Sequence, residues 1–203
     1  MAEELKSDDE RAEELKAWWR ENGVSVAAGI AIAVAGVVGW QQWQQYQTRQ
    51  SESASALFQQ AQNTETDKLA SLKKVSEEYG STPYSALAAL SSAATASQDS
   101  PTQSIESLKI AMEGKDPNIA TIAKLRLARV YIAEGKLSDA ESLLDSKLAV
   151  AYTSLVEELK GDLFVAKKDL DKARAAYDKA ILSAGSNPVQ YLKMKRDNLG
   201  KGA

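Results

Sequence analysis

Apolar and polar positions alternate at helical spacing along most of the chain, but one stretch departs from that pattern. Val24 to Trp40, VSVAAGIAIAVAGVVGW, carries no ionisable side chain, and only Ser25 interrupts its apolar residues and glycines. At ~1.5 Å per helical residue the run covers about 26 Å, and the Trp19 to Trp40 separation about 32 Å, against a hydrocarbon core of about 30 Å. Residues 24–46 are therefore expected to form one transmembrane helix with its aromatic belt. Trp18 and Trp19 before the run, and Trp40, Trp43 and Tyr46 after it, fall where amphipathic rings settle at the two headgroup layers. A core helix of a soluble domain would show polar residues every third or fourth position. A secretory signal would have a short basic start and a small-x-small cleavage site, whereas this run follows an acidic leader and ends in Gly39-Trp40-Gln41-Gln42. An uncleaved anchor is expected. Lys6, Arg11, Lys16 and Arg20 precede it, while Arg49 is the only basic residue after it before Lys68, so the N-terminus is expected on the cytoplasmic side.

The leader, residues 1–23, sets Leu5, Ala12, Leu15, Trp18 and Trp19 among Glu and Lys at roughly helical spacing. This predicts an amphipathic helix over 3–20, broken at Asn22-Gly23; a solvated tail is the competing reading. Within the span, Ala27, Ala31, Ala35 and Gly39 repeat every four residues and line one face, with Ser25, Gly29 and Ala33 as a second row of small residues. Such rows allow close approach of a neighbouring helix, and ordinary lipid contact is the alternative for a segment built of Ala, Gly and Val.

From Gln41 the sequence has no Gly or Pro for many residues, so the helix is expected to continue past the bilayer. Ala54, Leu57, Phe58 and Ala61 then return at helical spacing and mark where it packs on a domain, assigned to 47–203. The remainder reads as helical hairpins. Leu69, Leu72, Val75 and Tyr79 form a stripe that stops at Gly80-Ser81-Thr82-Pro83; Tyr84, Leu87, Leu90 and Ala94 form the next, and Ile105, Leu108 and Met112 a third, ended by Gly114 and Pro117.

Residues 119–148 and 155–184 resemble one another. Ala128 and Gly161, Tyr131 and Phe164, Ala140 and Ala173, and Leu144 and Tyr177 are each 33 apart. A period near 34 with two helices per unit is the signature of tetratricopeptide repeats. In such a unit Ala128 and Gly161 let paired helices approach, Tyr131 and Phe164 fill the gap further along, and Ala140 and Ala173 are the small counterparts on the second helix. Leu144 and Tyr177 point back into the pair. Gly135 suits a left-handed helix end, a role that Lys168-Asp169 fills less ideally in the next unit. Residues 84–117 read as a degenerate repeat, Thr66 to Tyr79 as a capping helix and 188–199 as a C-terminal helix. The fold class is all-α: one N-terminal transmembrane helix followed by a tetratricopeptide-like helical-hairpin solenoid.

Charge and composition narrow the chemistry. The net charge is −3, with the leader at −4 and the rest at +1, and no basic face interleaved with aromatics points to nucleic acid. The chain has no Cys and no His, which excludes thiol chemistry, disulfides, Cys/His zinc sites and Ser-His-Asp catalysis. The carboxylates at Glu157-Glu158, Asp139-Glu141 and Asp169 to Asp171 lack a nucleophile-and-base set or a phosphate loop, so no catalytic, cofactor or metal site is expected.

The charged tail ending in Glu21-Asn22-Gly23, the Ala/Gly-rich span ending in Gly39-Trp40, and the degenerate repeats containing Leu125-Arg126-Leu127-Ala128-Arg129-Val130 together resemble the YfgM family, the ancillary subunits of the SecYEG translocon in the inner membrane of Gram-negative bacteria. The resemblance implies a periplasmic domain that associates with the translocon and with the membrane-anchored chaperone PpiD, and that helps pass emerging chains to periplasmic chaperones. It also implies a cytoplasmic tail that restrains a stress-response regulator. The repeats alone read as an interaction module whose first helices line a groove, at Leu125, Arg129 and Ile132 and then Glu158, Asp162 and Val165; a solvated helix face is the alternative for these charges. A general membrane-bound scaffold in envelope biogenesis or cell division shares every local feature.

Overall fold

The computed structural model describes residues 8–64, 67–96 and 100–200. Leu5, Lys6 and Thr66 lie outside the described residues. The described chain is helical, without a strand, and divides into two compact units at Arg49/Gln50.

The first helix, α1 (Asp8–Asn63), has 56 residues. It runs through Asn22-Gly23, so the expected break is corrected. The Asn22 side-chain amide donates to the Trp18 carbonyl at 3.0 Å, one turn back, and the Trp19 indole lies beside Gly23. A single helical glycine costs only about 1 kcal/mol, which long helical stretches on both sides absorb. The apolar window of α1 is not buried inside the protein at all, with Val24 83% and Ile32 73% exposed. A core helix of the same composition would be covered; this one is long and apolar enough to cross a membrane, and none of its apolar window is buried among the described residues.

In the second unit the end of α1 is followed by α2 (Lys68–Glu78), α3 (Pro83–Ala96), α4 (Pro101–Met112), α5 (Pro117–Ala133), α6 (Leu137–Leu144), α7 (Thr153–Ala166), α8 (Leu170–Ser183) and α9 (Gln190–Asp197), with a 3-10 turn at Val150–Tyr152. Prolines open three of these helices, where a missing N–H goes unmissed. At α5 the Asp116 carboxylate also accepts from the Asn118 and Ile119 amides at 2.7 and 3.4 Å.

From α2 onward each helix packs on its neighbours in sequence, and α5 also packs on α7, as stacked hairpins require. Among the described residues three cores follow one another. Ala54 and Ala61 of α1 meet Leu72 and Val75 of α2 and Ala88 of α3, so the four-residue stripe at the end of α1 does begin the domain. Leu90, Leu108 and Leu127 centre the next core, and Leu125, Ala128, Leu144, Leu159 and Leu163 the third. Tyr131 and Leu143 pack against both of the last two and tie them together.

Helix α3 differs from its expected stripe. Ala94 is exposed, and the buried set is broad: Ser85, Ala86, Ala88, Ala89, Leu90, Ser92, Ala93 and Ala96. Helix α3 is clasped by α2 on one side and α4 on the other, so it needs small residues around most of its girth rather than a single face of large ones. Its serines are compatible with burial because hydroxyls reach backbone: Ser85 donates to the Ser76 carbonyl and Ser104 of α4 to the Ala93 carbonyl, both at 2.9 Å.

Candidate functional site

The repeat-signature residues lie at the helix crossings. Ala128, Ala140 and Ala173 are fully buried, Leu144 and Tyr177 nearly so, and Tyr131 and Phe164 are half-buried. A methyl group on Gly161 would come within 2.3 Å of Tyr177 Cε1, so the close approach of α7 and α8 demands glycine there. Both units end their first helix alike. Gly135 (φ 76°) and Lys168 (φ 62°) are left-handed, and the next amides, of Lys136 and Asp169, donate back to Tyr131 and Phe164 carbonyls at 2.8 and 2.9 Å.

The expected groove residues divide. Leu125 is corrected: it is buried in the α5–α6–α7 core, and Ile132 packs half-buried against it. Arg129 and Val165 are exposed, and among the described residues Arg129 has no ion-pair or hydrogen-bond partner. Glu158 and Asp162 do not face an open groove. They lie under α9, where Lys195 Nζ donates to Glu158 Oε1 at 2.8 Å and to both Asp162 oxygens at 2.8 Å. The Tyr177 hydroxyl donates to Asp162 Oδ1 at 2.6 Å, and the ammonium stands 5.8 Å from the Tyr177 ring centre and 5.0 Å from that of Tyr191.

The electrostatics are those of a compact, partly dry cluster. Glu158 is only 9% exposed. Burial alone would lower the Lys195 ammonium pKa, but the hydrogen bonds to Asp162 and Glu158 outweigh it and hold it above the usual lysine value. Burial, reinforced by the bond to Asp162, pushes the Tyr177 phenol well up. Arg196 adds an outer pair to Asp178 at 3.1 Å, and Arg174 donates to the Gly200 carbonyl.

Lys195 and Tyr191 were not singled out from the sequence, yet a signal was present. Arg129, Asp162 and Lys195 are each 33 residues apart, as are Leu125, Glu158 and Tyr191, so α9 occupies the place of the first helix of a further repeat. The charge at one repeat position alternates along the array as Arg, Asp, Lys, and neighbours of opposite sign at Asp162 and Lys195 pair.

In the first unit Trp18, Trp19, Trp40, Trp43 and Tyr46 are each at least half exposed, with ring centres 6.4 Å apart for Trp18–Trp19 and 5.2 Å for Trp40–Trp43. Ala27, Ala31, Ala35 and Gly39 are exposed as well, and a Cβ on Gly39 would meet nothing within 4 Å. Among the described residues no group of three or more carboxylates is placed to hold a metal ion.

A family model of the tetratricopeptide repeat-like domain matches residues 16–201. The chain is similar to proteins named ancillary SecYEG translocon subunit: 30% identical to that of Haemophilus influenzae over 95% of this chain and 97% of the relative. It is 32% identical to that of Aggregatibacter actinomycetemcomitans over 91% and 94%, and 24% identical to that of Escherichia coli K12 over 95% and 97%. No solved structure matches. With the likeness running through the apolar helix as well as the repeats, the chain belongs to the ancillary SecYEG translocon subunit family, membrane-helix proteins with a tetratricopeptide repeat-like domain.

Proposed function

We propose that the chain is a single-pass inner-membrane protein that associates with the SecYEG translocon and uses its repeat domain to hold a second protein. The observation that carries this reading is the likeness to translocon subunits over nearly the whole length, the uncovered apolar helix included. The excess of Lys and Arg before the span supports an N-terminus in the cytoplasm and a repeat domain in the periplasm, with boundaries near 23 and 46. There the domain would receive emerging secreted or envelope proteins and hand them to periplasmic chaperones beside a PpiD-like membrane-anchored chaperone. The acidic leader would restrain a cytoplasmic response regulator. The exposed Arg129, without an ion pair among the described residues, and the exposed Val165 support a partner surface on the repeats; the row Ala27, Ala31, Ala35 and Gly39 supports a helix contact within the membrane.

Crosslinking in intact membranes followed by co-purification tests the reading. Recovery of the translocon is expected, and recovery instead of cell-division or envelope-assembly proteins alone would favour a general scaffold. Ala31→Leu with Ala35→Leu keeps the span apolar but blocks close helix approach. Reduced recovery at equal membrane levels is expected if the span itself makes the contact, and equal recovery would move the contact to the repeats. A reporter active only in the periplasm, fused after Ala203, is expected to be active.

A further inference from the structure

The seat of α9 is built like a binding site, and its present occupant is lightly attached. Helix α9 has eight residues and buries one large side chain, Leu192; Tyr191 is 58% and Met194 51% exposed. By contrast α8 buries Ala173, Ala176, Tyr177 and Ala180. What holds α9 is chiefly charge, through Lys195 to Glu158 and Asp162 and Arg196 to Asp178. The segment that carries it back, 184–189, contains Gly185 in the left-handed region (φ 60°) and Asn187-Pro188, so it is a turn that can swing without breaking a helix. Segments with few buried apolar contacts open at lower free energy than the global fold.

The seat beneath has definite requirements. With α9 seated Glu158 is only 9% exposed and the Asp162 carboxylate is oriented by the Tyr177 hydroxyl, so any helix that covers these two carboxylates without bringing a cation leaves them unpaired and poorly solvated. The occupant must therefore supply a cation. An ammonium fits, because it can meet three carboxylate oxygens at 2.8 Å while lying near the Tyr177 ring. Three residues before it, one apolar side chain must fill the place of Leu192.

We infer that the α7–α8 surface around Glu158, Asp162 and Tyr177 is a binding site for a lysine-bearing amphipathic helix of a partner protein, which the chain's own α9 occupies and yields by exchange. The partner helix carries an apolar residue and, three positions on, a lysine, matching Leu192 and Lys195 by charge complementarity to the two carboxylates. This deepens the reading of the repeats as a partner-binding module and rests on it. Being a property of the purified chain, it is tested without the translocon, so failure of co-purification leaves it standing and its own failure leaves the translocon association standing.

The experiment uses the full chain in detergent and a synthetic peptide of residues 187–199. Amide hydrogen exchange of the wild type is expected to show α9 opening at least about tenfold more readily than α7 and α8; equal protection of α8 and α9 would make α9 a fixed cap and overturn the proposal. In the Lys195→Met chain the tethered helix loses its cation, and the free peptide is expected to bind at least about tenfold more tightly than to wild type, where α9 competes at high effective concentration. Retained protection of α7 and α8 shows that this variant is folded. The peptide carrying Lys195→Gln is expected to lose that gain. A chain with Glu158→Gln and Asp162→Asn is expected to bind both peptides alike, which separates charge recognition from loss of folding. No binding to the Lys195→Met chain, or no preference for lysine, would overturn the assignment. A concentration-dependent dimer that excludes the peptide would assign the seat to a second copy's α9 instead.

Discussion

The α5–α6 and α7–α8 hairpins use one 33-residue frame yet share out space at the crossing differently. In the first, Ala128 faces a core that includes Leu144; in the second, Gly161 gives up its methyl group and Tyr177 takes the room. The exchange is not a matter of volume alone. The larger ring carries a hydroxyl that reaches Asp162, and through it the second hairpin acquires a polar cluster that the first lacks. At the equivalent position the first hairpin has Arg129, exposed and without an ion pair among the described residues, where the second has Asp162 paired to Lys195. A repeat can thus keep its helical frame while turning one position from a solvent-facing charge into the anchor of the next helix.

Four changes would break or sharpen this comparison. The largest effect is expected from Ala173→Trp. The site is fully buried between helices, so overpacking costs about 3 kcal/mol, read as a lowered midpoint in urea unfolding of residues 50–203. An unchanged midpoint would show the repeat register to be wrong.

Next comes Gly161→Ala, which puts a methyl group within 2.3 Å of a ring that is held by its hydroxyl and cannot retreat; about 2 kcal/mol is expected to be lost. Adding Tyr177→Leu recreates the small–large pairing of the first hairpin, and the double-mutant cycle is expected to return part of the loss. Strict additivity would mean that the two residues do not share the crossing.

The third change is pH. Tyr177 and Lys195 both hold their protons more tightly folded than unfolded, so between the unfolded and folded pKa values the unfolded chain binds fewer protons and stability falls as pH rises. The contribution is complete below about pH 10, the ordinary range of both groups, and is lost above it. Hydrogen exchange at pH values either side of 10 would show protection falling first in α9, and Tyr177→Phe should flatten the dependence.

The smallest effect is expected from Lys168→Gly. Lys168 takes the left-handed position that Gly135 fills in the first hairpin, and its backbone pays for a Cβ there; relief is expected to add roughly 0.5–1 kcal/mol. Gly135→Ala, in the same setting with open space around it, should lose about 1 kcal/mol for the backbone alone.

Much of the fold was legible because it depends on local periodicity. Leu72 and Val75, Leu90 and Leu108 recur at helical spacing and are buried, and the breaks read at Gly80 to Pro83 and at Gly114 and Pro117 fall at the boundaries between helices. The repeat frame was legible because small residues at Ala128, Gly161, Ala140 and Ala173 serve a geometric need that recurs every 33 positions. Asn22-Gly23 misled because turn chemistry in a short window cannot weigh the helix on either side of it. The groove misled because helical phase identifies a face, not what covers it: Leu125 faces α6 and α7, and Glu158 faces α9, which is distant in sequence.

The sequence by itself determined the all-α class, the apolar helix and the hairpin repeats, since each rests on composition or on spacing along the chain, and the family follows from likeness to its relatives. Tertiary structure alone decided that the apolar window is unburied among the described residues, that Gly161 makes room for Tyr177, and that Glu158 and Asp162 are partnered by Lys195. Those outcomes depend on which helices come within a few ångströms of each other, and contact energies of that range are set by three-dimensional packing rather than by order along the chain.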